Sequence, residues 1–283
     1  MTRKMVLVDT SKCTGCKACS VACKEWNELP AEKTKLITSY QTQKDFTPKT
    51  WTYMTFLEKY EDETMNWLMR KAQCFHCADP ACLKACTSDA IVKTDSGYVV
   101  IDEKKCTGCG YCAENCPFGV PKIDPVKKKA YKCTGCIERV ENNLKPACVH
   151  TCQPGALEFG ERDALLAQAK KRLTVIQKTH PKAQLYGEKE MGGMTFLYLL
   201  LDSPEVYSLP VNPTIPLSLT LWKDVIRPVG GLAIGGAAAA VVIGVFANLF
   251  RGNYQSSEDQ DDNASTNHAD NNKKYSADLP RLN

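Results

Sequence analysis

The 283-residue sequence lacks the motifs of a substrate-binding or catalytic site. It contains no phosphate loop, no dinucleotide fingerprint, and no Ser-His-Asp or metal-hydrolase pattern. The excess of positive over negative charge is also small, since the formal net charge is +4. No basic patch with interleaved aromatic residues is present. We therefore expect a protein that catalyses no reaction by itself and that binds no nucleic acid.

The N-terminal residues are not expected to form a secretory signal. The apolar stretch there, Met5–Val8, has four residues, whereas the apolar region of a signal peptide has about 7–15. Disulfides form in oxidising compartments, which a chain normally reaches with such a signal. The sequence therefore argues against a disulfide framework.

Cysteine is abundant by contrast, with sixteen residues in four groups of four. Two groups follow the C-x2-C-x2-C-x3-C spacing of bacterial ferredoxins, and the other two have longer middle gaps. Zinc sites usually contain two cysteine pairs separated by a dozen or more residues, so zinc is a less favoured alternative. The spacing predicts four 4Fe–4S clusters with all sixteen cysteines as iron ligands. The groups are Cys13, Cys16, Cys19 and Cys23; Cys74, Cys77, Cys82 and Cys86; Cys106, Cys109, Cys112 and Cys116; and Cys133, Cys136, Cys148 and Cys152.

Four clusters indicate an electron relay. A thiolate-bound cubane cycles by one electron, and burial, net charge and hydrogen bonds to sulfur set its reduction potential. All sixteen cysteines are needed as ligands, so none remains for catalysis. His76 and His150 lie beside cysteines and are candidates for hydrogen bonds that tune a potential, with simple packing as the alternative.

An internal repeat indicates the fold. The sequence Lys-Cys-Thr-Gly-Cys begins at Lys12, Lys105 and Lys132, and we expect its glycine to let the backbone pass close to a cluster. Ferredoxin-like modules hold two clusters each, and the fourth cysteine of each run binds the cluster of the other run. We predict an α+β fold with two ferredoxin-like double-cubane modules in residues 1–160.

Hairpins complete the predicted modules. Ala90–Lys93 and Tyr98–Ile101 read as one hairpin. The insertion at residues 24–73 is predicted to form another, from Trp51–Tyr60 and Trp67–Arg70. It binds no cluster by itself; it covers the clusters and contacts a partner, or else only packs on the modules.

After a strand at Gly155–Phe159, residues 161–226 are predicted to contain a helix and an arm. Asp163 caps the helix, its apolar residues recur at three- and four-residue spacing, and Pro181 ends it. We expect this helix to pack on the modules. The apolar, proline-punctuated stretch Met191–Pro216 is predicted to lie as an extended arm on a partner subunit.

A transmembrane helix is predicted at residues 227–250. Pro228–Phe250 has 23 residues without a charge, and about 20 apolar residues suffice to cross the hydrocarbon core of a bilayer. Arg227 and Arg251 bracket the stretch, which disfavours the alternative of a buried core helix. Residues 251–283 are polar and cannot bury enough apolar surface to order themselves, so a disordered tail is expected.

The segments around the cysteines resemble a known family. In its four-group arrangement the chain resembles the iron–sulfur subunits of molybdopterin oxidoreductases, and most closely the beta subunits of membrane-bound, respiratory formate dehydrogenases. Leu199–Lys223 and the single C-terminal helix extend the resemblance to about residue 250. The residues that carry it are Gly15–Cys19 with Glu25–Asn27, His76–Pro80, Cys106–Phe118, Tyr131–Thr134 and Pro146–Cys148.

The resemblance implies how the cysteines are shared. The first group pairs with the fourth, and the second with the third, each lending its fourth cysteine to the other. The implied ligand sets are Cys13, Cys16, Cys19 and Cys152; Cys133, Cys136, Cys148 and Cys23; Cys74, Cys77, Cys82 and Cys116; and Cys106, Cys109, Cys112 and Cys86.

The resemblance also implies partners and a location. A catalytic alpha subunit with a molybdenum or tungsten bis-pterin centre would oxidise formate. A gamma subunit with b-type haem, in the lipid bilayer, would pass the electrons to quinone in anaerobic respiration. The cluster domain would lie on the extracytoplasmic (periplasmic) side of the cell membrane, anchored by a single-pass helix, with the C-terminal tail in the cytoplasm.

Two other functions stay open at this point. The same relay would serve a hydrogenase or a sulfur-compound reductase, although Leu199–Lys223 favours formate dehydrogenase. A metal-dependent structural or regulatory membrane protein is the alternative from a different class.

Overall fold

The computed structural model describes residues 3–37, 40–61, 63–217 and 219. The predicted transmembrane helix at 227–250 and the predicted tail at 251–283 lie outside these residues. Within the described ranges, no helix combines the length and apolar character that a bilayer-crossing segment needs.

The described chain alternates short strands and short helices. The strands are β1 (Lys4–Asp9), β2 (Tyr53–Glu61), β3 (Thr64–Ala72), β4 (Ile91–Lys93), β5 (Val99–Ile101), β6 (Lys122–Asp124), β7 (Lys129–Tyr131), β8 (Leu157–Glu161), β9 (Gln184–Tyr186) and β10 (Phe196–Leu200). The α-helices are α1 (Ala18–Trp26), α2 (Ala81–Lys84), α3 (Tyr111–Glu114), α4 (Ile137–Glu141), α5 (Ala147–His150) and α6 (Arg162–Ile176).

One module is nested inside the other. β1 and α1 form the first half of the outer module, and α4, α5 and β8 form its second half, with α1 packed on α5 and β1 paired with β8. The inner module lies between these halves in the sequence; it contains α2 packed on α3 and the hairpins β4–β5 and β6–β7. The hairpin β4–β5 confirms the one predicted from the sequence.

A four-stranded sheet in the order β8-β1-β10-β9 ties the two ends of the described chain together. β1 is antiparallel to β8 and parallel to β10. Because neighbouring residues on a strand point to opposite faces, the sheet has two different coverings. Met5 and Leu7 pack with residues of α6, whereas Val6 and Val8 pack in a core that contains Cys19. The sheet thus separates α6 from the cysteines.

The structure differs from the predicted arm at Met191–Pro216. Phe196–Leu200 forms the inner strand β10, and every residue in it is buried. A strand covered on both faces has a continuous apolar run rather than alternation, so periodicity does not reveal it. Further on, the fully buried hydroxyl of Tyr207 accepts a hydrogen bond from the Leu201 N–H (3.3 Å). The boundary predicted at residue 160 therefore falls within one sheet.

The insertion forms the predicted hairpin, with a longer returning strand. β2 and β3 pair antiparallel over nine residues each, from Tyr53 opposite Ala72 to Glu61 opposite Thr64. At the base of this hairpin, Met54, Met69 and Lys71 line a cavity that also contains cysteines. Of the two roles considered for the insertion, these contacts favour covering of the cysteine region over packing alone.

Helix α6 has a different cap residue from the predicted one and ends earlier. Glu161 is the N-cap residue, with extended φ/ψ of −64° and 136°, and Asp163 lies in the first turn. Glu161 also ends β8, so the chain turns directly from strand to helix. Ile176 is the last helical residue, five positions before Pro181. The buried residues of α6 are Leu165, Ala169 and Ile176.

Candidate metal centres

Four cavities of the described chain are each lined by four cysteines. Each takes three cysteines from one group and one from the paired group, and these sets coincide with the crossed sets that the resemblance implies. The first cavity contains Cys13, Cys16, Cys19 and Cys152; the second, Cys133, Cys136, Cys148 and Cys23; the third, Cys74, Cys77, Cys82 and Cys116; and the fourth, Cys106, Cys109, Cys112 and Cys86.

The local backbone explains the crossing. Cys19 and Cys23 are four residues apart on α1, so both lie on one face of that helix. Cys19 lines the first cavity and Cys23 the second, which places α1 alongside both. Cys148 on α5 and Cys152 beyond its end are divided between the same two cavities in the reverse sense.

The donor set and the cavity shape fit a multi-iron cluster. All sixteen cysteines are free. In the part of the chain that the structure describes, no three cysteine, histidine or carboxylate side chains converge to hold a single metal ion. The four sulfurs of each set stand around a cavity instead. The walls are otherwise largely apolar, with Val8, Met54 and Leu157 in the first cavity. Four thiolates around a shared space are the ligand set of a 4Fe–4S cubane.

Burial disfavours the thiolate form of several of these cysteines when no iron is bound. It raises the pKa of Cys19 and Cys23 to about 11 and that of Cys133 and Cys136 to about 12. Thiolates bind metals and thiols do not, so these four ligands would each release a proton when iron binds.

Backbone and amide N–H groups point at several sulfurs. The Gly135 N–H lies 3.3 Å from Cys133 Sγ, the Ala130 N–H 3.4 Å from Cys106 Sγ, and Asn27 Nδ2 3.7 Å from Cys23 Sγ. Hydrogen bonds to ligand sulfur stabilise the more negative, reduced state of a cluster and so raise its potential. The sequence spacing did not identify these donors.

The repeated glycines are required by the backbone and by neighbouring protein atoms. Gly15, Gly108 and Gly135 have φ values of +67°, +70° and +70°, in the left-handed region that favours glycine. A side chain at Gly135 would overlap the ring of Tyr98, with 2.1 Å between its Cβ and Cδ1 of the ring. Gly108 and Gly135 also line the fourth and second cavities, and the close passage of the backbone by a cluster stays a prediction.

The two histidines near cysteines have different environments. His76 is fully buried, lines the third cavity, and accepts a hydrogen bond on Nδ1 from the Val99 N–H (3.0 Å). Burial lowers the pKa of His76 well below its usual value, helped by the charge of Lys132. The ring is therefore neutral with its proton on Nε2, and Nε2 has no partner among the described residues. His150 is exposed at the end of α5. His76 is thus the stronger candidate for tuning a cluster.

Two buried lysines near the cysteines were not singled out from the sequence. Lys132 lines the third cavity, and its ammonium donates hydrogen bonds to the carbonyl oxygens of Val99 and Cys133. Lys71 lines both the first and the second cavity. Lys132 immediately precedes a cysteine and could have been noticed, whereas Lys71 is identified only by its place on β3.

Solvent access differs among the four sets. Cys16 in the first cavity and Cys109 in the fourth are exposed. The described cysteines of the second and third cavities are buried or half-buried. The first and fourth cavities therefore reach the surface through a ligand.

Residues 12–90 and 65–162 each match a family described as a 4Fe-4S dicluster domain. Two such domains carry four 4Fe–4S clusters, which confirms the predicted cofactors and the ferredoxin-like modules. Residues 215–243 match the family described as formate dehydrogenase N, transmembrane.

Proteins that are similar to more than half of this chain have names that agree with these domains. The formate dehydrogenase iron-sulfur subunit of Haemophilus influenzae is 42% identical over 242 residues, covering 83% of this chain and 78% of the relative. The iron-sulfur subunit of the nitrate-inducible formate dehydrogenase of Escherichia coli is 40% identical over 248 residues, covering 86% and 82%. The B subunit of the anaerobic dimethyl sulfoxide reductase of Escherichia coli is 37% identical over 164 residues, covering 56% and 73%. With its four four-cysteine cavities and these relatives, the chain belongs to the family of formate dehydrogenase iron–sulfur subunits.

Proposed function

We propose that this chain relays electrons from formate oxidation through four 4Fe–4S clusters to a membrane acceptor. The observation that carries the proposal is the grouping of sixteen cysteines around four cavities, in a chain related along most of its length to formate dehydrogenase iron–sulfur subunits. In this proposal all sixteen cysteines are iron ligands in the crossed sets. The chain catalyses no reaction itself.

The arrangement of the cavities supports a linear path. The first and second cavities exchange Cys152 and Cys23, and the third and fourth exchange Cys116 and Cys86. Cys133 of the second cavity and Cys74 of the third lie in one buried core, which joins the two modules. We infer the order first, second, third, fourth, with the exposed Cys16 and Cys109 at its two ends.

Along this path the protein itself binds the clusters, shields them from water and stabilises their reduced state. A bound cluster supplies one-electron transfer with little rearrangement. The apolar walls exclude water, and the N–H groups near Cys23, Cys106 and Cys133 stabilise added negative charge. Electrons enter and leave where a ligand reaches the surface.

The proposed partners follow from the family. A catalytic molybdopterin subunit, with molybdenum or tungsten, oxidises formate at one end, and a membrane cytochrome b subunit receives the electrons at the other. The match of residues 215–243 to a formate dehydrogenase transmembrane family supports a single-pass helix at 227–250 in the cell membrane. We further propose that the clusters lie on the extracytoplasmic side and that residues 251–283 form a polar cytoplasmic tail.

Formate is expected to reduce the clusters in membranes that contain the intact complex. Electron paramagnetic resonance (EPR) would follow the appearance of reduced-cluster signals after formate is added anaerobically. Dithionite gives the full signal and shows that the clusters are present. Hydrogen serves as the alternative donor, and an oxidised sulfur compound serves as the alternative acceptor for clusters that have been reduced beforehand. Signals that respond to one of these compounds and not to formate would contradict the formate assignment while leaving the relay intact.

Replacing the crossed ligands one at a time is expected to damage different clusters. Cys152→Ser should impair the cluster of the first cavity, because Cys152 lies with Cys13, Cys16 and Cys19. The matched variant Cys23→Ser should impair that of the second cavity. Iron content and the EPR signal of each cluster provide the measurement. If Cys152→Ser instead removed the cluster of Cys133, the crossed pairing would be wrong.

A further inference from the structure

Lys71 is a buried cation placed between two predicted clusters. It lies near the end of β3, its side chain is almost inaccessible with 2% exposure, and it lines both the first and the second cavity. These two cavities are otherwise bounded by different cysteine sets. Lys71 is therefore shared by both halves of the outer module.

The ammonium of Lys71 has little to neutralise it within the protein. It donates a hydrogen bond to Oε1 of Gln73, which is 1% exposed, and lies 5.9 Å from the ring centroid of Phe196. No ion pair joins it to a carboxylate anywhere in the described ranges. A buried ammonium without a counter-charge is strongly destabilising, so a negative group must face it in the functional protein.

In the functional protein that negative charge would come from the cysteine thiolates that hold the clusters. Cys19 belongs to the first set and Cys133 and Cys148 to the second, and Lys71 lines the cavity of each set. The side chain of Lys71 is therefore placed beside both ligand sets.

We propose that Lys71 is the common counter-cation of the clusters in the first and second cavities, and that its charge raises the reduction potentials of both. Each reduction adds one negative charge to a cluster, and a fixed positive charge nearby stabilises that state by Coulomb attraction. Gln73 positions the ammonium by accepting its hydrogen bond. The inference rests on the proposed ligand sets.

Arg70 provides a matched control on the same strand. Like Lys71 it is a buried cation of β3, with 7% exposure. As its neighbour in sequence it points to the opposite face of the hairpin. The residues that line the four described cysteine cavities do not include Arg70. Burial lowers the pKa of Arg70, and the groups that oppose this are tyrosines, led by Tyr198.

The test is a potentiometric titration of the assembled complex, followed by EPR, for Lys71→Met and Arg70→Met. In Lys71→Met, the reduction equilibria of the first and second clusters should each fall about tenfold, which corresponds to about 59 mV for a one-electron couple. The third and fourth clusters should keep their potentials. Arg70→Met should leave all four potentials unchanged. Iron content and dithionite-reduced signals, measured first, report separately on the ligand sets.

Other results would overturn the proposal. An unchanged pair of potentials in Lys71→Met, a shift confined to one of the two clusters, or an equal shift in Arg70→Met would each do so. If Lys71→Met fails to hold iron, Lys71→Arg decides the matter. Native loading and potentials with arginine would support a requirement for charge, and loss of the same clusters with arginine would reject it.

Discussion

Removal of iron is expected to unfold the inner module while α6 and its sheet remain. The core of the inner module has eight buried residues, and half of them are predicted ligands. The other four are small or medium apolar side chains. The eight residues are the ligands Cys82, Cys86, Cys106 and Cys112 and the apolar Ala90, Ile91, Val99 and Ala130.

The strands and helices around that core are too short to be stable by themselves. β4, β5, β6 and β7 have three residues each, and α2 and α3 have four. Isolated two-stranded hairpins and single helical turns are marginal in water. Metal binding therefore provides most of the free energy that folds this part of the chain.

The layer between the central sheet and α6 is built differently. Its buried core contains no cysteine among the described residues and includes Met5, Leu165, Ile176 and Leu199. Burying large aliphatic side chains contributes about 1.5–3 kcal/mol each. This layer should therefore retain structure after the clusters are gone.

Hydrogen exchange measured by mass spectrometry, before and after iron chelation under anaerobic conditions, is the appropriate measurement. Amides of β4–β5 and β6–β7 should lose protection, and those of β1, β10 and α6 should keep much of it. Equal loss across the chain would show that the sheet also depends on iron. Full protection everywhere would show that the cavities are preformed without it.

Replacing Gly108 by alanine is expected to displace the cluster of the fourth cavity. Gly108 has a φ of +70°, and a Cβ there would lie 2.3 Å from the carbonyl oxygen of Lys128. That carbonyl directly precedes β7, which begins at Lys129, so the backbone cannot yield without disturbing the β6–β7 hairpin. Left-handed backbone costs an alanine about 1–2 kcal/mol, and the overlap adds about 1–3 kcal/mol or more.

Gly110 offers a matched control two residues away. It has a φ of +88°, and no heavy atom lies within 4 Å of the position of its Cβ. Gly110→Ala also places an alanine at a positive φ, but without the overlap. Gly108→Ala should therefore lose about four iron atoms per chain and melt at a lower temperature than Gly110→Ala. Equal iron content and melting temperature in the two variants would mean that the Lys128 carbonyl moves aside.

The four 4Fe–4S clusters were predictable because cysteine spacing is a local signal. Three cysteines at successive steps of three positions, such as Cys13, Cys16 and Cys19, wrap a loop around one object whatever the rest of the chain does. The hairpin β4–β5 was predictable for a similar reason, since both strands and the turn lie within eleven residues from Ile91 to Ile101. The insertion hairpin β2–β3 was likewise predictable from β-prone residues on either side of a polar turn.

Features that depend on distant parts of the chain were not predictable. β10 lies parallel to β1, which comes some 190 residues earlier in the sequence. The residues of β10 are all apolar, so they show no alternation that would predict a strand. In the sequence Lys71 is one polar residue directly after a predicted strand. Only the folded hairpin places it beside two cysteine cavities. Asn27 gains its contact with Cys23 only because α1 ends where it does.

The nesting of one module inside the other has a consequence for biosynthesis. The eight cysteines of the inner module have all been made once Tyr131 has been added, whereas Lys132 and Met191, which also line its third cavity, come later. The outer module needs Cys152 beside Cys13 and β10 beside β1. Cys152 follows Tyr131 by 21 residues and Leu200 follows it by 69, which at about 5–20 residues per second takes roughly 1–4 s and 3–14 s. The cysteines of the inner module are therefore complete first, so iron should be loaded from the middle of the chain outward.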